Sequence, residues 1–168
     1  FGEALEREGW ELLRKNFEKH NVTIFPETEV LSVYEEGDAI VADTGSEKVR
    51  GYFLGLGIGL DRNIEIFRDA GLKTQEGIWV NEYLETSHPD VWAAGDVAEF
   101  TDLILGGQRI DGTWTNAVLQ GKVAGENMAW KRTALRTVST YSISNLGFYV
   151  TLVGSTLARR TVKVCAED

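Results

Sequence analysis

The apolar run Val91-Trp92-Ala93-Ala94-Gly95, which leads directly into Asp96, constrains the fold of this chain more than any other feature. Such a run is typical of a strand buried on both faces of a parallel sheet, which is found in α/β proteins. It predicts that Gly95 and Asp96 end the strand, at the edge where open α/β sheets bind ligands. The spacing leaves two interpretations open: a plain turn after a core strand, or a carboxylate that accepts hydrogen bonds from a ligand's hydroxyl groups.

The residues before this run predict a helix followed by short strands. The apolar residues of the segment 3–20 share one face, which indicates an amphipathic helix. A second, short helix is predicted over 63–70, with Gly71 as its C-cap. Short strands separated by turn residues are predicted over 22–25, 29–35, 39–43, 52–58 and 77–80. The first of them follows the helix, and the next three form a β-meander.

The residues after this run predict a loop, a helix and a β-rich end. Gly106-Gly107 and Asp111-Gly112 indicate a loop. A helix is predicted over 117–131, with close packing at Gly121 and Gly125, which lie four residues apart. Beyond Thr137, β-branched and aromatic residues predict strands over 141–144, 148–156 and 160–164.

Composition narrows the class of protein. The chain has 168 residues, 43% of them hydrophobic, which fits a globular domain or parts of two. Its formal net charge of -9 argues against a nucleic acid or an anionic membrane as partner, and no apolar stretch approaches the roughly 20 residues that span a bilayer. The single cysteine, Cys165, provides neither a disulfide nor metal-ligand spacing. We therefore expect a cytoplasmic protein with no metal site.

One segment carries a family resemblance. Residues 86–96 resemble the second flavin-binding signature of the FAD-dependent pyridine nucleotide-disulfide oxidoreductase superfamily. That signature is a threonine, a hydrophobic strand with an aromatic residue, then alanine, any residue and Gly-Asp. The resemblance implies that Asp96, next to Gly95, hydrogen-bonds the ribityl chain or a nearby phosphate of the flavin. The matching residues are Thr86, Ser87, Pro89, Val91, Trp92, Ala93, Gly95 and Asp96.

Two further segments resemble the same family. The segment 57–63 is similar to the stretch that ends the NAD domain, although Asp61 and Arg62 replace the usual arginine and proline; the resemblance places Gly59 near the nicotinamide cofactor. The segment Trp114-Thr115-Asn116-Ala117, with Gln120 and Gly121 after it, resembles the helix whose amino end points at the flavin ring. The N–H groups and dipole of such an end favour negative charge.

The resemblance implies an α/β fold with a β-meander that forms part of a flavoprotein with two dinucleotide-binding domains. Residues 1–59 are assigned to the second half of an NAD(P)-binding domain, 60–135 to the C-terminal half of an FAD-binding domain, and 136–168 to the start of a C-terminal α+β domain rich in strands. No GxGxxG opens a strand-to-helix turn in this sequence. We therefore expect a fragment, cut at both ends, that is inactive alone.

The function implied by the resemblance is hydride transfer from NAD(P)H to FAD, followed by electron delivery to an acceptor protein or small molecule. No side chain needs to act as acid or base, so no catalytic residue is predicted. Strands after Thr137 argue against the thioredoxin reductase branch, which leaves ferredoxin, rubredoxin and nitrite reductases, NADH oxidases and apoptosis-inducing-factor-like proteins. The stretches AAGDVAEF and GTWTNAVLQG resemble most the nitrite or rubredoxin reductase group. The alternative is a non-catalytic assembly or interaction module built from reductase parts. In either case, exposed sheet edges predict a homodimer.

Overall fold

A computed structural model of the protein describes residues 7–154, which divide into two compact units. One unit comprises Glu11–Leu60, and the other comprises the described residues before Glu11 and after Leu60. Helix α1 (Arg7–Lys19) confirms the predicted amphipathic helix, and Leu13 is its buried residue. The first residues of that prediction, 3–6, lie outside the described part of the chain.

The Glu11–Leu60 unit contains an antiparallel meander. Strands β1 (Ser32–Glu36), β2 (Ala39–Asp43) and β3 (Lys48–Gly51) lie in the order β1-β2-β3. Val41 of β2 is fully buried, whereas every residue of β1 is exposed. The meander and its strand over 39–43 were therefore predicted correctly, and the strand predicted over 29–35 begins three residues later.

Two of the four strands predicted over residues 22–58 are wrong. Residues 22–25 and 52–58 form no strand, and the third strand is β3 instead. Phe53 and Ile58 are 96% and 90% exposed. An extended segment becomes a strand only when a neighbour satisfies its backbone groups, and neither segment has such a neighbour among residues 7–154.

After Leu60, the first element of the other unit is helix α2 (Glu65–Asp69), which lies inside the predicted range. Gly71, at φ +86°, ends it as predicted. The N–H of Gly71 donates to the carbonyl of Arg68, and the N–H of Leu72 donates to the carbonyl of Phe67. This pair of bonds is a Schellman motif, which satisfies carbonyls at the end of the helix.

A three-stranded sheet forms the centre of this unit. Strand β4 (Ile78–Trp79) confirms the strand predicted over 77–80; it pairs in parallel with β5 (Ala98–Thr101), which pairs antiparallel with β6 (Gln108–Arg109). The predicted loop glycines Gly106 and Gly107 both have φ +81°. The core around the sheet consists of buried apolar residues: Ile64, Ile78, Val80, Leu84, Ala93, Ala98, Phe100, Val123, Ala124 and Leu135.

The strand predicted over 91–95 is wrong, because the central strand is β5 and follows Asp96. Trp92 forms only an isolated bridge with Glu85. Strand β5 was not predicted because a charged residue is not expected in a buried strand, and β5 contains Glu99, which is 6% exposed. The backbone N–H groups of Glu76 and Gly77 donate to Glu99 Oε2 at 3.1 and 3.2 Å, so this buried carboxylate is hydrogen-bonded. Asp96 therefore precedes a core strand and does not end one.

Helix α3 (Trp114–Met128) confirms the predicted helix but begins three residues earlier. The close packing predicted at Gly121 and Gly125 is wrong: a Cβ at either glycine would meet nothing within 4 Å. The two glycines lie on the exposed face with Val118 and Met128. The buried face carries polar residues as well as apolar ones, so the apolar pattern did not identify it: Asn116, Gln120, Val123, Ala124 and Asn127.

A hairpin ends the described residues. Strands β7 (Thr140–Asn145) and β8 (Phe148–Val153) pair antiparallel across a turn at Leu146-Gly147, where both residues have positive φ. They confirm the strand predicted over 141–144 and most of the one over 148–156, whereas 160–164 lies outside the described part. No helix within residues 7–154 is both long and apolar enough to cross a bilayer.

Candidate functional site

A tight turn at Gly95-Asp96 lies between the segment 91–94 and strand β5. Gly95 has φ +81°, a conformation that residues with a Cβ rarely adopt. The N–H of Ala98 donates to the carbonyl of Gly95 at 3.0 Å and closes the turn. The N–H of Gly95 donates to Oε1 of Gln120 at 2.7 Å, which ties the turn to α3. The backbone therefore reverses direction at Gly95, directly before Asp96, whose side chain is exposed.

The carboxylate of Asp96 accepts no hydrogen bond from residues 7–154, and its side chain is exposed. The guanidinium Nε of Arg62 donates to the Asp96 backbone carbonyl at 3.0 Å. Gly112 approaches from the other side, where a Cβ would lie 3.8–4.0 Å from the carboxylate atoms. Both carboxylate oxygens can therefore accept hydrogen bonds from a ligand.

The amino end of α3 lies beside this turn. Thr113 is its N-cap, and the Thr113 hydroxyl oxygen accepts a hydrogen bond from the N–H of Asn116 at 3.3 Å. Ala117 packs against Gly95, where a Cβ would lie 3.7 Å from the Ala117 Cβ. Trp114 is 87% exposed and Thr115 is also exposed. The first-turn N–H groups of this fifteen-residue helix have no carbonyl partner inside the helix, so they can donate to a negatively charged or polar ligand.

The predicted site residues fall into two groups. Six of them lie together at the turn and at the start of α3: Gly95, Asp96, Trp114, Thr115, Asn116 and Ala117. Asn116 is 4% exposed, so its side chain belongs to the interior. Gly59 lies in the Glu11–Leu60 unit, exposed and with φ +89°. Its predicted place near a nicotinamide stays a prediction.

Three residues at the turn were not among the predicted site residues: Arg62, Gly112 and Gln120. Gln120 follows Asn116 by four residues, so the two share a helix face, and this spacing could have identified it. Gly112 belongs to the Asp111-Gly112 turn signal. Nothing in the sequence indicates that Arg62 reaches Asp96, 34 residues away.

A cavity of about 910 Å³ lies elsewhere in the same unit. The cavity is lined by the segment Glu85–Asp90, by Trp92, and by residues at and just after the carboxyl end of α3. Neither Asp96 nor the start of α3 lines it. Within residues 7–154, no three His, Cys, Asp or Glu side chains cluster as metal ligands would. We identify the exposed Gly95-Asp96 turn, rather than the cavity, as the candidate site, because six of the predicted site residues lie together there.

Comparison with known proteins now identifies the family. The profile of the family described as pyridine nucleotide-disulphide oxidoreductase matches residues 1–121, well over half of the chain. The chain belongs to the pyridine nucleotide-disulphide oxidoreductase family. The resemblance predicted from the sequence is thus confirmed.

Two curated members of this oxidoreductase family illustrate the likeness. The ferredoxin–NAD(+) reductase component of a 3-phenylpropionate/cinnamic acid dioxygenase from Photorhabdus laumondii subsp. laumondii is 36% identical over 119 residues, which are 70% of this chain and 30% of the relative. An NADH oxidase from Methanocaldococcus jannaschii is 34% identical over 145 residues, 85% of this chain and 30% of the relative. The chain therefore spans about 30% of the length of these family members.

A solved structure of the oxidoreductase family supports the fold. The FAD-dependent pyridine nucleotide-disulphide oxidoreductase from Desulfovibrio vulgaris superposes with a TM-score of 0.77 at 24% identity, and the match covers 86% of this chain and 37% of that one. At this identity the match supports the fold alone. The predicted α/β fold, a part of the two-dinucleotide-domain flavoprotein architecture, is confirmed.

Proposed function

We propose that this chain forms part of the flavin site of an oxidoreductase that passes a hydride from NAD(P)H to FAD and then electrons to an acceptor. The observation that supports this function best is the exposed Asp96 carboxylate, which accepts no hydrogen bond from residues 7–154 and follows a glycine turn tied to α3. Family membership supports the same reaction.

The residues at the turn fit a flavin nucleotide. A carboxylate is a hydrogen-bond acceptor only, so Asp96 suits the several hydroxyl groups of a ribityl chain. The amino end of α3, beginning at Trp114, suits the electron-rich pyrimidine side of a reduced flavin. When bound, FAD would supply the redox chemistry, in which NAD(P)H and a proton convert FAD to FADH2 and leave NAD(P)+. In this proposal the chain's own residues bind and orient, and none transfers a proton.

The remaining features of the whole protein are also proposals. Gly59 would lie near the nicotinamide, and the chain alone would be inactive because it lacks both glycine-rich fingerprints. The relatives' names, a ferredoxin–NAD(+) reductase component and an NADH oxidase, support an acceptor that is either a small electron-carrier protein or a small molecule. The single cysteine supports a cytoplasmic location.

A second candidate function is a non-catalytic assembly module. It is supported by the exposed apolar side chains of Phe53 and Ile58, which lie five residues apart in one segment, because large apolar side chains left in solvent are typical of interaction sites. A module of this kind would need neither a flavin nor an intact Asp96. FAD binding therefore separates the two candidates.

The test is a titration with FAD, followed by the quenching of flavin fluorescence. It is done on the 168-residue chain and on a chimera in which this chain replaces the matching segment of the Desulfovibrio vulgaris FAD-dependent relative. We expect the chimera to hold FAD, and Asp96→Ala to weaken its affinity about 10- to 100-fold, since hydrogen bonds to a charged group contribute roughly 1.5–3 kcal/mol. Asp96→Asn, which keeps one acceptor oxygen, should lose less.

The matched control is Asp69→Ala, which removes an exposed carboxylate at the end of α2 in the same unit. It should leave the affinity for FAD unchanged. A chimera that folds, as judged by circular dichroism, and yet holds no FAD would overturn the proposal. Equal affinity in the Asp96→Ala and parent chimeras would overturn the role of Asp96.

A further inference from the structure

The buried face of α3 carries three carboxamides, Asn116, Gln120 and Asn127, at positions where apolar residues would be expected. Asn127 is fully paired: its Nδ2 donates to the carbonyls of Tyr83 and Thr133, and its Oδ1 accepts from the N–H of Thr133. It has an evident structural role at the carboxyl end of the helix. Asn116 and Gln120 differ from it.

Hydrogen-bond chemistry determines how these two carboxamides are oriented. Gln120 must present its oxygen to the N–H of Gly95, at 2.7 Å, and Asn116 must present its nitrogen to the carbonyl of Asp111, at 3.0 Å. Their other polar atoms, Gln120 Nε2 and Asn116 Oδ1, are buried and have no partner among residues 7–154. Gln120 is 0% exposed and Asn116 is 4% exposed.

A buried polar atom without a hydrogen bond costs free energy, and an apolar side chain of the same shape would avoid that cost. Residues that lower stability in this way are expected where function requires them. Both carboxamides hold segments that flank Asp96. Gln120 holds Gly95, the residue before Asp96. Asn116 holds the Asp111-Gly112 loop, which lies beside the Asp96 carboxylate.

We propose that Gln120, together with Asn116, is a positioning residue of the candidate flavin site. Their side-chain hydrogen bonds hold the two segments on either side of Asp96 and thereby fix where its carboxylate meets the ligand. The link to the flavin rests on the function proposed above, whereas the link to Gly95 does not.

The experiment compares Gln120→Met with the parent 168-residue chain. Methionine keeps the shape of the side chain but cannot accept the hydrogen bond from Gly95 in the same way. We expect the Gly95 amide proton to exchange with solvent about 10-fold faster, as measured by NMR, because one hydrogen bond is lost. The melting temperature should change little, because removal of the unpaired Nε2 offsets the loss of the hydrogen bond from the Gly95 N–H.

Two further variants exclude a general effect of substitution. Gln120→Glu keeps an acceptor oxygen but places a carboxylate at a fully buried position. In the folded variant, as judged by circular dichroism, exchange at Gly95 should be slow again. Gln108→Met is the matched control: Gln108 also has a buried, unpaired carboxamide atom, but its nitrogen faces the carbonyl of Val80 instead of the turn. It should leave the exchange rate of Gly95 unchanged.

The same variants are then titrated with FAD in the chimera. We expect Gln120→Met to weaken the affinity for FAD about 3- to 10-fold and Gln108→Met to leave it unchanged. If Asp96→Ala weakens binding and Gln120→Met does not, this inference is wrong and the proposed function stands. If no form binds FAD, the proposed function fails, and the exchange rate at Gly95 still decides whether Gln120 positions the turn.

Discussion

Gly77 and Glu99 illustrate how single residues join β4 to β5. The N–H of Gly77 donates to the buried Glu99 carboxylate, and a Cβ at Gly77 would lie 2.7 Å from the carbonyl oxygen of Val97 and 3.1 Å from the N–H nitrogen of Glu99. Both of these atoms belong to the backbone, so they cannot rotate away as a side chain could. The parallel pairing therefore depends on the absence of a side chain at Gly77.

The first prediction at this scale is that Gly77→Ala lowers the free energy of unfolding by about 1–3 kcal/mol, because the backbone must shift to admit the methyl group. Urea denaturation of the 168-residue chain measures the change. Gly121→Ala is the matched control, since a Cβ there meets nothing within 4 Å. Equal stability of Gly77→Ala and the parent chain would contradict the steric argument.

At the scale of elements, α3 has an unusual distribution of side chains. Its buried face holds the three carboxamides, whereas its exposed face holds Trp114, Val118, Met128 and two glycines. Gly121 and Gly125 make no close contact in the described part of the chain. They therefore lower the helix propensity with no gain in packing.

The prediction for this helix is that Gly121→Ala together with Gly125→Ala stabilises the chain. Each change should contribute about 0.5–1 kcal/mol, because alanine loses less backbone entropy than glycine in a helix. The melting temperature, followed by circular dichroism, should rise by roughly 3–6 °C for both together. A fall would mean that this face of α3 is already covered in the 168-residue chain.

Local signals in the sequence predicted the elements that depend on neighbouring residues. The Schellman cap at Gly71 and the β7–β8 hairpin follow from glycine positions and β-branched runs. The strand at 98–101 could not be predicted, because Glu99 is made compatible with burial by two backbone N–H groups more than twenty residues away. The segments 22–25 and 52–58 were predicted as strands from composition, which does not indicate whether a pairing strand exists.

The residues of the candidate site could be predicted from the sequence, whereas the side-chain contacts that hold them in place could not. Family resemblance identified Asp96 and the start of α3, and these lie together as the motif implies. The side chains that hold them, Arg62 and Gln120, act across 34 and 25 residues of sequence. The four-residue spacing places Gln120 on the same helix face as Asn116, but the contacts of Arg62 with Asp96 and of Gln120 with Gly95 depend on the folded arrangement.

At the scale of the whole molecule, the Glu11–Leu60 unit ends in an exposed apolar segment. Phe53, Leu56 and Ile58 project from residues that follow β3 without joining its sheet. Exposed apolar side chains in a segment with unpaired backbone favour association with another chain. The homodimer predicted from exposed sheet edges stays a prediction, and this exposed segment is a second surface through which two copies could associate.

We predict that the 168-residue chain self-associates and that Phe53→Ser with Ile58→Ser weakens the association by roughly 100-fold or more. Burying a large apolar side chain contributes about 1.5 kcal/mol or more, and serine removes that gain. Sedimentation equilibrium over a concentration series measures the effect. Ile66→Ser, which changes an exposed residue of the other unit, is the control. A parent chain that stays monomeric would contradict this prediction.

The outward face of α3 also affects how long such a chain would survive in a cell. Trp114, Val118 and Met128 present to solvent the kind of surface that molecular chaperones recognise and that directs polypeptides to proteolysis. While that face is uncovered, the abundance of the chain would be set by its rate of degradation. Copies of the chain in which another polypeptide covers this face of α3 would then be degraded more slowly than uncovered copies.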